Sequence, residues 1–230
     1  MKKILIPILT LIFCYGVSNA QQDNESVANK RVIWGIKANL GAELPGHLKN
    51  KDINIKMYNS GFSGSIGGLA NIALGKNFYF EPEVALFYDQ YSYDKVEAMS
   101  EHSPSVNIGP SIHKFGFRIP FNFGYFINIS EKWGLDVFTG PELSYAFSGS
   151  ARYDKSDPKL VEDIKEAGLG EVFSGPFEQN RFNVDWKVGV GFPVEHFLIS
   201  LEGDFGLTNM MKKTWTMHEN RVTLGIGYYF

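Results

Sequence analysis

The sequence predicts an all-β chain: an eight-stranded antiparallel up-and-down transmembrane β-barrel, with a short helix in its third long loop. Three observations predict it. Apolar and polar residues alternate with a period of two over eight segments. The connections between those segments are alternately long and short. The chain also holds 19 Phe, 11 Tyr and 24 Gly at a mean hydropathy close to neutral. Its apolar residues are therefore plentiful, yet after residue 20 they never gather into the run of about 20 that a membrane helix needs.

The N-terminus reads as an export signal. Lys2 and Lys3 form a positive region, Ile4 to Val17 an uncharged apolar one, and Ser18-Asn19-Ala20 puts small residues at both positions that flank a signal-peptidase cut. An uncleaved anchor is the alternative, but the apolar stretch is short for one. Leu11-Ile12-Phe13-Cys14 faintly resembles a lipidation box, in which Phe13 stands where a small residue belongs. The expected division is a signal peptide over 1–20, a short segment over 21–30 and the barrel domain over 31–230. Cys14 is the only cysteine, so the mature part offers no disulfide, thiolate nucleophile or cysteine metal site. Without Lys2 and Lys3 the chain carries 20 basic against 25 acidic residues, a net charge of −5. That balance gives no electrostatic reason to bind nucleic acid.

Each strand follows from counting by twos. In the first, Val32, Trp34, Ile36, Ala38 and Leu40 oppose Ile33, Gly35, Lys37 and Asn39. In the second, Phe62, Ile66, Ala70 and Ile72 face outward against Ser63, Ser65, Gly67 and Asn71, and Gly75-Lys76-Asn77 turns the chain. The third sets Phe78, Phe80, Pro82, Val84, Leu86 and Tyr88 against Tyr79, Glu81, Glu83, Ala85 and Asp89. The fourth alternates Phe115, Phe117, Ile119, Phe121, Phe123 and Tyr125 with Lys114, Gly116, Arg118, Pro120, Asn122 and Gly124. The fifth places Leu135, Val137, Thr139, Leu143 and Tyr145 outside and Asp136, Gly140, Glu142 and Ser144 inside. The sixth opposes Phe182, Val184, Trp186, Val188, Val190 and Phe192 to Asn183, Asp185, Lys187, Gly189 and Gly191. The seventh opposes Phe197, Ile199, Leu201 and Phe205 to Ser200, Glu202, Asp204 and Gly206. The eighth closes the chain, with Val222, Leu224, Ile226, Tyr228 and Phe230 against Thr223, Gly225, Gly227 and Tyr229.

A soluble sandwich would turn the apolar face to its core and the polar face to water. Here the apolar faces are unbroken and aromatic-rich, while the polar faces mix glycine with charges of both signs. That suits lipid outside and a narrow, crowded interior. Short connections at 75–77, 127–132 and 194–196 alternate with long ones at 42–60, 92–111, 148–181 and 209–219. Outer-membrane barrels keep short turns on the periplasmic side and long loops outside, an asymmetry for which a soluble barrel has no need. In the third long loop Ser156-Asp157-Pro158 reads as a helix start. Leu160, Val161, Ile164 and Ala167 then recur at helical spacing up to Gly168.

Strands three to eight also carry a family pattern. Phe80-Glu81-Pro82-Glu83-Val84, Phe117-Arg118-Ile119-Pro120-Phe121, Gly140-Pro141-Glu142-Leu143 and Gly206-Leu207-Thr208-Asn209 occur in this order, ahead of a terminal Gly227-Tyr228-Tyr229-Phe230. Over nearly the whole mature chain this resembles the PorT-like family of outer-membrane β-barrels. The resemblance implies a cell outer membrane location and contact with outer-membrane lipid and the barrel-insertion machinery, for which the terminal Phe230 would be the insertion signal. The family's named member is associated with protein secretion, which implies an accessory role in secretion or surface export. Arg118 departs from the acidic residue often found before that Ile-Pro pair.

The inward charges form the candidate site: an interior ion network of Lys37, Glu81, Glu83, Lys114, Arg118, Asp136, Glu142, Asp185, Lys187, Glu202 and Asp204. A charge inside a barrel wall costs several kcal/mol unless it is paired and hydrogen-bonded. Hairpin symmetry about 195–196 sets Lys187 opposite Asp204, and symmetry about 130 sets Arg118 opposite Glu142. Eight strands leave an interior that side chains fill. The expectation is a plugged, non-enzymatic barrel with structural or partner-binding loops, and with no catalytic, cofactor or metal residues. Glu81 and Glu83 read as part of the ion network more simply than as an acid/base pair. The five histidines lack metal-ligand spacing. His47, His102 and His218 fall in long loops, the one place where a rim enzyme would build a site. Ser63 and Ser65 lack the nucleophile-elbow pattern. A soluble lipocalin-like carrier with a hollow interior is the remaining alternative.

Overall fold

The computed structural model describes residues 32–51, 54–56, 58–93, 96–100, 103–108, 111–129, 134–152, 171–174, 178–212 and 214–230. In chain order its strands are β1 (Val32–Pro45), β2 (Leu48–Lys49), β3 (Asn54–Ile55), β4 (Tyr58–Ala73), β5 (Phe78–Tyr93), β6 (Val96–Ser100), β7 (Ser103–Ile108), β8 (Ser111–Asn128), β9 (Gly134–Arg152), β10 (Phe182–Val194), β11 (Phe197–Gly206) and β12 (Glu219–Tyr229). Eight of them close into one antiparallel barrel in the order β1-β12-β11-β10-β9-β8-β5-β4. Closure leaves no edge strand, so every ladder group finds a partner without water. β2 with β3 and β6 with β7 form separate hairpins inside the long connections. The period-two count had merged both hairpins into loops. The barrel strands also run further than the apolar alternation does, β1 to Pro45 and β9 to Arg152. The last residues of β9, Ser148 to Arg152, are no longer an apolar alternation, so there the pattern fades before the ladder ends.

The helix expected within 156–168 lies outside the described residues, as does the signal peptide expected over 1–20. Among the described residues there is no helix.

Turn chemistry sets the register. Val194 pairs with Phe197 across a two-residue turn in which Glu195 adopts a positive φ of 56°. A positive φ at the first central position lets the turn follow the right-handed strand twist. Every β10–β11 pair follows from it, including Lys187 with Asp204. Across β8 and β9, Asn128 pairs with Gly134, which places Arg118 opposite Ser144 and Glu142 opposite Pro120. The sequence-based pairing of Arg118 with Glu142 is thus two residues out, because the hairpin is centred at 131 and not at 130. One glycine is demanded by close approach: the β4–β5 register shifts between Asn59 and Phe62, and a Cβ on Gly61 would lie 1.7 Å from the Gln90 carbonyl oxygen.

The two faces of the wall differ as a membrane protein requires. Leu40, Ile66, Leu224 and Ile226 face outward with 60–62% of their surface open. Ala70 pairs with Trp34 and is covered, since a methyl among larger outward side chains keeps little surface of its own. Aromatic rings gather at both rims. Phe78 meets Tyr125 at 4.6 Å and Phe197 meets Tyr228 at 5.0 Å near the short turns. Phe115 meets Phe147 at 6.0 Å toward the long loops. Two aromatic girdles flanking an aliphatic band are the signature of a lipid-embedded barrel.

Candidate functional site: the barrel interior and its cap

The period of two that turns apolar side chains to lipid turns the charges inward, where they stack in layers. Nearest the short turns, the Tyr79 hydroxyl lies 2.7 Å from both carboxylate oxygens of Asp136. Glu81 accepts from Asn71 Nδ2 at 2.9 Å and from the Tyr229 hydroxyl at 2.8 Å. Phenol and amide donors thus stabilise two carboxylates that have no cation within 4.0 Å among the described residues.

Above them lies the lysine layer. Lys37 Nζ is 2.5 Å from Glu202 Oε1 and stands 5.0 Å over the Phe138 ring. Lys187 Nζ reaches Glu142 at 3.1 Å, Glu202 at 3.0 Å and Asp204 at 3.4 Å. Ser200 donates to Glu202 Oε1 at 2.7 Å. Glu83 is buried beside this layer, with its Oε2 without a hydrogen bond.

The arginine layer follows. Arg221 Nη2 bonds Glu142 at 2.5 Å and Asp185 at 2.9 Å, with its Nε 3.5 Å from Asp204. Arg118 Nη2 lies 2.5 Å from Asp89, its Nε is 3.5 Å from Glu142, and its guanidinium sits 4.2 Å over the Phe87 ring. Ser63 donates to the other Asp89 oxygen at 2.7 Å. Nearest the long loops, Lys114 bonds Glu219 and stands 5.1 Å over the Tyr91 ring. Among the described residues, ten carboxyl and five basic side chains are buried. A cavity of about 10 Å³ remains in the middle, lined by Asn39, Glu83, Asp204 and Thr223 among others. That is room for about one water.

An apolar cap closes the long-loop end. Leu48, Tyr58, Tyr91, Ile112, Val172, Met210, Met211 and Met217 form one cluster in which none exceeds 3% exposure. The long connections are laced together beneath and beside it. Lys49 and Thr216 exchange backbone hydrogen bonds at 2.9 and 2.8 Å, and Met210 N–H donates to Met217 O at 2.8 Å. Asn209 Oδ1 accepts from the Met211 and Met217 amides at 3.0 and 2.9 Å. Gln179 and Tyr91 hydrogen-bond at 2.9 Å. Methionine suits such a cap, since its unbranched chain fills irregular gaps.

A closed eight-stranded wall, apolar outside and charged within, is the geometry on which a family match can be placed. The family model described as outer membrane protein beta-barrel domain matches residues 19–212. The chain belongs to this family. Its place is accordingly the outer membrane. No curated protein matches it. Among solved structures it is similar to Ail, the attachment invasion locus protein of Yersinia pestis, in complex with the heparin analogue sucrose octasulfate. There the identity is 12%, the match covers 86% of this chain and 99% of that one, and the TM-score is 0.41. Neisserial surface protein A matches at 10% identity over 86% and 97%, with a TM-score of 0.43. OprG of Pseudomonas aeruginosa matches at 10% identity over 86% and 94%, with a TM-score of 0.44.

In this outer membrane barrel each of the eleven sequence-selected charges points inward and is buried. One ion-pair web joins seven of them and Lys114 pairs separately with Glu219; Glu81, Glu83 and Asp136 take part in no ion pair among the described residues. Four further buried charges lie beyond the eleven: Asp89, which the count by twos already turns inward, and Glu43, Glu219 and Arg221, which it stops short of. Glu43, Glu219 and Arg221 lie in phase with their strands, beyond the apolar alternation. Continuing the count from Thr223 would have reached Arg221 and then Glu219. His47 hydrogen-bonds Asn54 at 3.1 Å in the β2–β3 hairpin region. Among the described residues, the one group of three carboxylate or imidazole side chains with metal-compatible spacing contains no histidine. His102 lies outside the described residues.

Proposed function

We propose that this outer membrane protein is a plugged, non-enzymatic barrel that serves as a membrane anchor for its capped loop surface, through which it meets a protein partner. One observation carries this reading. The lumen is filled by phenol and amide hydrogen bonds to carboxylates near the short turns and by cross-strand ion pairs above them, and the methionine-rich cap closes the long-loop end. A carrier needs a hollow interior and a porin a continuous water path, and about 10 Å³ of mid-barrel space supports neither.

The finer family resemblance is to PorT-like barrels, on motifs that fall in strands and at strand ends. On this reading residues 1–20 are the export signal. Phe230, whose amide donates to Trp34 O at 2.9 Å at the barrel seam, marks the terminal strand for insertion.

The test is conductance of the purified protein in planar bilayers. The expected result is a silent membrane with at most brief, small openings. Sustained large conductance would overturn the plugged reading.

A further inference from the structure

The charges inside the barrel do not balance, and the imbalance has a place. Buried carboxyls outnumber buried bases two to one among the described residues. Most have a cation or a neutral donor within reach; Glu83 keeps one oxygen unbonded, and Glu43 alone among the described buried carboxylates keeps both. It is fully buried on β1, and neither of its carboxylate oxygens has a hydrogen-bond partner. An isolated buried carboxylate is too costly to persist, so something must compensate it. Beside it stand Glu219 on the adjoining strand β12 and Asp89 on β5, two strands away on the other side, and one oxygen from each of the three residues lies within 4.8 Å of the other two.

We propose that Glu43, Asp89 and Glu219 form a cation site beneath the apolar cap, taking a hard divalent ion of the calcium class. Calcium binds oxygens at about 2.3–2.6 Å, so ligands on opposite sides of the ion stand about 5 Å apart. Three carboxylate oxygens within 4.8 Å of one another meet that span. Magnesium, at about 2.0–2.1 Å, would have to draw them closer. Lys114 and Arg118 already hold Glu219 and Asp89. Both Glu219 oxygens accept from Lys114, and the two Asp89 oxygens accept from Ser63 and Arg118, so the unpartnered Glu43 oxygens are what an ion would take first, with the remaining lone pairs of Asp89 and Glu219 completing the site. The surplus of carboxylates below keeps the lumen favourable to a second positive charge.

The site also has a consequence for the cap. Glu219 lies two residues after Met217, and Asp89 two before Tyr91, both cap residues. An ion here would tie β1, β5 and β12 together under the loops.

The test uses the full chain, purified in detergent and stripped with a chelator. Calcium is returned while two quantities are read: metal bound per chain after gel filtration, and the temperature at which the fast-migrating folded form converts to the unfolded band. One calcium per chain is expected, with an upward shift corresponding to about a hundredfold gain in the folded-to-unfolded ratio at a hundred times Kd. Glu43→Gln keeps the shape and removes the charge, so it should lose both the bound ion and the shift. Absence of bound calcium in the wild-type chain overturns the proposal whether or not the variant folds. So does calcium bound equally by Glu43→Gln, which puts the ion elsewhere. So does a conversion temperature that ignores calcium and rises on acidification, because Glu43 and Glu219 would then share a proton.

Discussion

Arg221 is the side chain on which the interior depends most. It is 3% exposed, and its guanidinium joins Glu142, Asp185 and Asp204 from three different strands. Arg221→Met keeps the volume and removes the charge. Glu142 retains Lys187 at 3.1 Å and Arg118 at 3.5 Å, and Asp204 retains Lys187 at 3.4 Å. Asp185 is different: Arg221 supplies its ion pair, and the substitution strands it in the lumen at 2% exposure. Breaking a buried pair by removing one partner costs about 3–5 kcal/mol. At 1.4 kcal/mol per decade that is roughly two to three and a half orders of magnitude in the folded-to-unfolded ratio. Urea unfolding in detergent, followed by the heat-modifiable gel shift, reads that difference. The double variant Arg221→Met with Asp185→Asn should recover part of the loss, with a coupling of about 1–3 kcal/mol. An Arg221→Met midpoint within about 0.5 kcal/mol of wild type, the range of ordinary surface substitutions, would refute the view that these pairs hold the wall together.

Two further substitutions probe the wall from its two sides. Gly189 faces the Phe138 ring, and a Cβ there would lie 2.2 Å from Phe138 Cζ. Because Lys37 stands over that ring, Gly189→Ala should cost about 1–3 kcal/mol by overpacking, measured by the same urea midpoint; a neutral result would mean the ring has room to move. Leu224, 62% exposed near the middle of β12, faces outward. Leu224→Arg should lower stability in lipid vesicles by about 2–4 kcal/mol, as a charge at the bilayer midplane does. An unchanged stability there would contradict lipid contact along this face.

The wall was readable because one rule governs it. A period of two, applied to Phe115 through Tyr125 or to Phe182 through Phe192, separates lipid from lumen without any knowledge of pairing. The long and short connections gave the order of strands for the same reason, since antiparallel neighbours joined by two residues, as at Glu195-His196, have no other arrangement. Pairing across the lumen was not readable. Lys37 and Glu202 belong to strands that are not neighbours, and their meeting depends on how far each strand is staggered around the closed barrel. A shift of the β8–β9 hairpin centre from 130 to 131 was enough to move Arg118 from Glu142 to Ser144, although long side chains still brought the first two within 3.5 Å. The cap is harder still. Met210, Met211 and Met217 obey no period, and they meet Leu48, Tyr58 and Tyr91 only because three long connections and the strand ends beside them share one small mouth. Glu43 and Glu219 fall between these two regimes: in phase with the wall yet past the end of its apolar stripe. That is where the charge imbalance gathers, and where a rule that reads hydrophobicity stops looking.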